Sequence, residues 1–118
     1  MPWPRLEIAQ MLTGFVGTNF TSEVRVSADG SLVYAANRLH DSIAFFEVGA
    51  SGTLTPVSEV WTRGDYPRSF TIDPTGRFLV CCDQRSDALT TFRIRHKKLE
   101  LTGKYTPVGS PACVIFLT

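Results

Sequence analysis

The chain has 118 residues, 43% of them hydrophobic and 19% charged, with 12 Lys and Arg against 11 Asp and Glu. This composition supports a single globular domain and excludes wholesale disorder. A formal charge of +1 lacks the basic excess expected of a nucleic-acid or membrane-surface binder.

The longest apolar runs, residues 43–46 and 114–117, are far too short to span a bilayer. The opening Met1-Pro2-Trp3-Pro4-Arg5 does not lead into an apolar signal core. Three cysteines, two of them adjacent, make neither a disulfide framework nor a zinc site, so a reducing, cytoplasmic setting is expected, with no metal and no cofactor.

In chain order, residues 6–12 read as a strand, followed by a loop to residue 21. Next comes a unit beginning with the turn Ser27-Ala28-Asp29-Gly30, whose glycine suits positive φ. Residues 31–36 form an apolar strand, residues 37–41 a polar break, residues 42–48 another strand, and residues 54–62 a fourth. The same order then recurs. Asp73-Pro74-Thr75-Gly76 is the turn, residues 77–82 the strand, 83–87 the break, and 88–94 and 99–106 the last two strands.

The two units superpose at a shift of 46 residues, with Gly30 on Gly76, Asp41 on Asp87 and Phe46 on Phe92. The second copy then loses two residues, so that Leu54 falls on Leu99 and Pro67 on Pro111. Nothing along the chain has helical periodicity. Four short antiparallel strands repeated over 40–50 residues are the signature of a β-propeller blade.

The predicted fold is therefore all-β, a partial β-propeller. Residues 1–21 hold the last strand of a preceding blade and a loop, 22–66 one blade, 67–110 a second, and 111–118 the first strand of a following blade. Propellers close with about 4–8 blades, so two blades are expected to leave strand edges and apolar faces open and to form a homo-oligomer. Trp3, Trp61, Phe45, Phe46, Phe92 and Tyr105 are expected to pack between blades. Cys81 and Cys82 are expected to be small buried hydrophobes pointing to opposite faces of a strand.

Gly14-Phe15-Val16-Gly17-Thr18-Asn19, Ser22-Glu23-Val24, Ala28-Asp29-Gly30 and Tyr34-Ala35-Ala36-Asn37-Arg38 with His40-Asp41-Ser42-Ile43 form a recognisable series. The second unit adds Pro67-Arg68-Ser69-Phe70, Ile72-Asp73-Pro74-Thr75-Gly76 and Ser110-Pro111-Ala112-Cys113-Val114. Together they resemble the seven-bladed propeller lactonases, a family that includes 6-phosphogluconolactonases and carboxymuconate cyclases. Two positions depart from the family pattern: Leu39 replaces a usual glycine and Asp83 a usual asparagine.

The resemblance implies hydrolysis of a sugar lactone such as 6-phosphogluconolactone, or lactonisation of an unsaturated dicarboxylate. A non-catalytic propeller module is the reading from another class. Opening a lactone needs a base for water, an acid for the leaving alkoxide and positive charge near the oxyanion. By position in the family motifs, Glu23 and His40 are the candidate catalytic residues. Arg38 and Arg68 are candidates to hold a small anionic lactone or dicarboxylate. Asp41 and Asp87, repeated without a shared histidine, are expected to serve the loops structurally. Arg93, Arg95, His96, Lys97 and Lys98 are expected to form a solvated hairpin rim rather than a nucleic-acid contact.

Overall fold

The computed structural model describes residues 21–95 and 97–117. They form two four-stranded antiparallel meanders, β1 to β4 and β5 to β8. The first comprises β1 (Thr21–Val26), β2 (Leu32–Asn37), β3 (Ser42–Val48) and β4 (Leu54–Trp61). The second comprises β5 (Pro67–Ile72), β6 (Phe78–Asp83), β7 (Ala88–Arg95) and β8 (Lys98–Pro107). The strand expected at residues 6–12 and the Trp3 side chain lie outside the described residues. Residues 112–117 pair with no strand among the described residues.

The 46-residue repeat appears directly in the pairing register. Val33 faces Phe46 and Leu79 faces Phe92; Asn37 faces Ser42 and Asp83 faces Ala88. Both turn glycines take positive φ, 75° at Gly30 and 74° at Gly76. Each donates its N–H back across the turn, to the carbonyls of Ser27 and Asp73. In the first turn Asp29 accepts from the hydroxyls of Ser27 and Ser31 and from the Ser31 N–H. These bonds hold its carboxyl down at about 2.

The shorter second copy is shortened in two places. The turn between β7 and β8 is one residue tighter, pairing Ile94 with Leu99 where Val48 pairs with Leu54. A bulge near Gly103 (φ 83°) restores that residue. The net loss falls in the stretch before Pro111.

Side-chain alternation gives each blade two apolar faces. The main core lies between the blades: Leu32, Tyr34, Ala36, Ile43 and Phe45 of the first meet Phe70, Leu79, Cys81, Phe92 and Leu99 of the second. Val33, Ala44 and Phe46 form a smaller cluster on the back of the first blade. Cys81 and Cys82 are both fully buried, and only Cys81 joins the interblade core.

Phe45 and Phe92 pack between the blades as expected, whereas Phe46 is buried on the back of the first blade. Trp61 and Tyr105 are not buried, at 58% and 48% exposure. Both lie on outermost strands (β4 and β8), where a blade has no further strand to cover it, and Trp61 instead stacks under Arg63, 4.8 Å from guanidinium carbon to ring centroid. The twist of the sheets splays these outer strands apart, opening a cleft of about 1170 Å³ at the hairpin end of the molecule, bridged by the Lys97–Glu47 ion pair (2.5 Å).

Candidate functional site

In a four-stranded meander the β2–β3 loop lies at one end with the start of the first strand, and the two hairpin turns lie at the other. Here β1 runs beside β5, and the Ser22 hydroxyl donates to the Pro67 carbonyl at 2.7 Å. The starts of both first strands, the 38–41 loop, the 84–86 turn and the 62–66 connection therefore share one end of the molecule.

The connection is fastened by Asp41. Its side chain accepts the Tyr66 N–H at 2.8 Å, and its carbonyl accepts the Thr62 N–H at 2.8 Å. Asp87 repeats both bonds to the next connection, through the N–H groups of Ser110 (2.8 Å) and Val108 (3.1 Å). Both aspartates sit at positive φ, 54° and 51°, a conformation that a short polar side chain tolerates. Their role is structural in geometry, as the repeat implied.

Tyr66 is a different matter. It has φ 64° immediately before Pro67, although a residue preceding proline favours extended backbone and an aromatic residue rarely enters the left-handed region. It is held there from both sides, its N–H by Asp41 and its carbonyl by the Gln84 N–H at 3.0 Å. Two guanidiniums converge on its ring: Arg38 at 5.6 Å from the centroid and Arg85 at 4.0 Å.

The candidate residues thus divide into separate groups. Arg38 reaches the Tyr66 ring, two residues ahead of Arg68, which is exposed at a bulge in β5. Glu23 occupies the matching irregularity of β1 and pairs with Arg25 at 2.9 Å. His40 turns the other way. Its Nδ1 meets Glu59 of β4 at 2.5 Å, with the Ser42 hydroxyl donating to the same carboxylate at 2.8 Å. Of the four predicted residues, Glu23, Arg38 and Arg68 lie at the end where β1 and β5 begin, while His40 engages the outer strand.

Beneath the connection lies Asp83, fully buried. It accepts from the Thr90 hydroxyl at 2.7 Å and the Cys81 thiol at 3.6 Å. Burial pushes its carboxyl up to about 6, against the opposing effect of these bonds. Burial also raises Asp41, with Asp65 adding a like charge. Burial beside Asp83 pushes the Cys82 thiol up to about 11 and raises the Cys81 thiol well above its ordinary value, which rules out a thiolate nucleophile at either near neutral pH. Among the described residues no group of His, Cys, Asp and Glu is arranged to hold a metal ion, and no helix is long and apolar enough to cross a membrane.

Sequence reasoning missed Tyr66, Arg85 and Glu59. The doubtful fit of a tyrosine before a proline was the one local signal, and neither stacking nor the β4 contact leaves a trace in residue spacing.

Comparison with known proteins gives a consistent result. The family described as "Lactonase, 7-bladed beta-propeller" matches residues 5–116. A 6-phosphogluconolactonase of Bacillus subtilis is 43% identical over 107 residues, covering 87% of this chain and 30% of that protein. The periplasmic gluconolactonase PpgL of Pseudomonas aeruginosa superposes with a TM-score of 0.86 at 31% identity, over 92% of this chain and 31% of the other. A Lactobacillus plantarum protein gives the same TM-score at 34% identity, over 92% of this chain and 32% of its own length. The chain spans about a third of the length of the relatives it matches.

Proposed function

This chain belongs to the seven-bladed β-propeller lactonase family, and from that premise we propose that it is a lactonase segment acting on an anionic sugar lactone such as 6-phosphogluconolactone. The supporting observation is the convergence of Arg38, Arg68 and Glu23 on the end where β1 and β5 start side by side.

In this reading a carboxylate, Glu23, takes a proton from water as the water oxygen attacks the lactone carbonyl. The arginines balance the charge that develops on the carbonyl oxygen. When the intermediate collapses the ring C–O bond breaks, and the departing alkoxide takes up the proton that Glu23 removed from water, which returns Glu23 to a carboxylate. His40, held by Glu59, then steadies the loop that carries Arg38.

Titration with 6-phosphogluconate tests the reading. Arg38→Ala and Arg68→Ala should each weaken binding by about 1.5–3 kcal/mol per lost charged hydrogen bond. Lys97→Ala and Lys98→Ala, at the hairpin end, should leave it unchanged. Equal affinity in all four variants would defeat the proposal.

A second reading, association of the chain with copies of itself, is supported by the outward face of the second blade. On that face Phe78, Val80 and Leu89 are only partly covered, and in the segment after β8 Ile115 and Leu117 are 69% and 92% exposed. In this reading blades of two chains cover one another as the first blade covers the second here. A sharp monomer at micromolar concentration in analytical ultracentrifugation would refute it. The three free thiols, Cys81, Cys82 and Cys113, support a reducing, cytoplasmic compartment.

A further inference from the structure

We propose that Arg85, stacked on Tyr66, is the residue that selects a phosphorylated lactone over its uncharged counterpart. The proposal rests on the lactonase reading above and adds to it a residue that neither the repeat nor the family motif singled out. Its position in the repeat corresponds to Leu39 of the first blade, so the feature is particular to the second.

Three observations carry it. The first is how firmly Arg85 is placed. The 84–86 segment is a 3-10 turn, docked on residues 65–66 by three hydrogen bonds: the Gln84 N–H to the Tyr66 carbonyl at 3.0 Å, the Arg85 N–H to the Asp65 carbonyl at 3.1 Å, and the Asp65 N–H to the Ser86 hydroxyl at 2.7 Å.

The second is the stack itself. At 4.0 Å from the centroid the guanidinium contacts the ring closely, and stacking leaves its N–H edge able to donate in the plane. Such a group has already lost much of the side-chain freedom that anion binding would otherwise cost.

The third is charge. No carboxylate among the described residues lies within ion-pair distance of Arg85. The two carboxylates nearest in sequence are engaged elsewhere, Asp83 with the Thr90 hydroxyl and Asp87 with the Ser110 N–H, and Asp65, whose carbonyl accepts the Arg85 N–H, has its carboxyl against that of Asp41. A fixed guanidinium at the same end as Arg38 and Arg68, with no ion-pair partner among the described residues, suits a phosphate dianion and its bidentate geometry. A neutral sugar hydroxyl gains far less there. Tyr66 acts as a positioning residue, and its strained backbone is the cost of presenting the ring to both blades.

The test is calorimetric titration of the full chain with 6-phosphogluconate and with gluconate. Arg85→Ala should weaken 6-phosphogluconate by about tenfold or more and leave gluconate unchanged. Arg85→Lys should recover only part of the loss, because a lysine keeps the charge but neither stacks nor forks. Tyr66→Phe should bind like the parent, whereas Tyr66→Ala should lose the same selectivity as Arg85→Ala. Arg93→Ala removes a guanidinium that stacks on Phe78 at 5.7 Å, remote from the site, and should change nothing.

The proposal is overturned if Arg85→Ala binds both ligands as the parent does, or if the parent does not prefer the phosphorylated ligand. Hydrolysis of the phosphorylated lactone that is indifferent to Arg85→Ala would remove this inference and leave the lactonase reading standing. Arg85-dependent phosphate selectivity without any lactone hydrolysis would do the reverse.

Discussion

Replacing Asp83 with Asn should abolish a pH dependence of stability that the parent chain carries. Asp83 is fully buried, and its carboxyl is raised from 3.8 to about 6 by burial. A raised acid favours the folded state in its protonated form. Its contribution is therefore complete below the unfolded value near 3.8 and is lost as pH climbs to about 6. At about 1.4 kcal/mol per pH unit the full span is worth ~3 kcal/mol, of which roughly 1.4 kcal/mol falls between pH 5 and pH 7. The depressed carboxyls of Asp29 and Asp73 titrate below this window. Asp41, raised in the same sense, is present in both proteins, so the comparison isolates Asp83 together with the like charge that Asp41 places beside it. Urea unfolding followed by circular dichroism at pH 5, 6 and 7 measures the difference. The parent should lose more stability across the window than Asp83→Asn does, by about 1.4 kcal/mol. Equal slopes in the two proteins would show that Asp83 titrates normally and that its burial is relieved in solution.

Phe92→Ala, which removes a ring from the interblade core, should cost about 3–5 kcal/mol in urea denaturation; a cost under 1 kcal/mol would mean the blades do not pack as described. Gly64→Ala would place a Cβ 2.4 Å from Asp83 Cγ, an overpacking expected to cost about 1–3 kcal/mol, and part of that loss should return when Asp83 is also shortened to Ala. Lys97→Ala breaks an exposed ion pair to Glu47 and should change stability by less than about 1 kcal/mol, with any effect fading at high salt.

The blade architecture was legible because it depends on periodicities of two and of 46 residues, and both survive in the residue types. Gly30 and Gly76 mark turns that need positive φ, while Phe46 and Phe92 mark the same buried position, so one alignment fixed the strands and their register together. Exposure was less legible. Trp61 and Tyr105 are aromatic residues on strands, and composition alone treats them like Phe45. They differ because β4 and β8 are the outermost strands, a fact about strand order in space. The bulge at Gly103 escaped notice for a related reason: a residue lost from one turn and regained nearby leaves the average spacing intact.

The site was legible only as far as the repeat could carry it. Asp41 and Asp87 recur, and the structure gives them the same two backbone bonds. Arg38 and Arg68 do not recur, and that asymmetry marks them as candidates for something other than scaffolding. What the alignment could not supply is which way a side chain turns once its loop is closed. His40 and Arg38 are two residues apart, yet one meets Glu59 on the outer strand and the other meets Tyr66 on the connection between blades. The Asp41 bond to the Tyr66 N–H makes the difference, because it draws the connection over the 38–41 loop and brings an aromatic ring within reach of Arg38. The same connection receives the 84–86 turn from the second blade. A connection that meets loops from two blades at one strained tyrosine ties the spacing of Arg38 and Arg85 to the angle between the blades. Residues of the interblade core, such as Phe92 and Phe45, therefore bear on how Arg38 and Arg85 are placed around the Tyr66 ring.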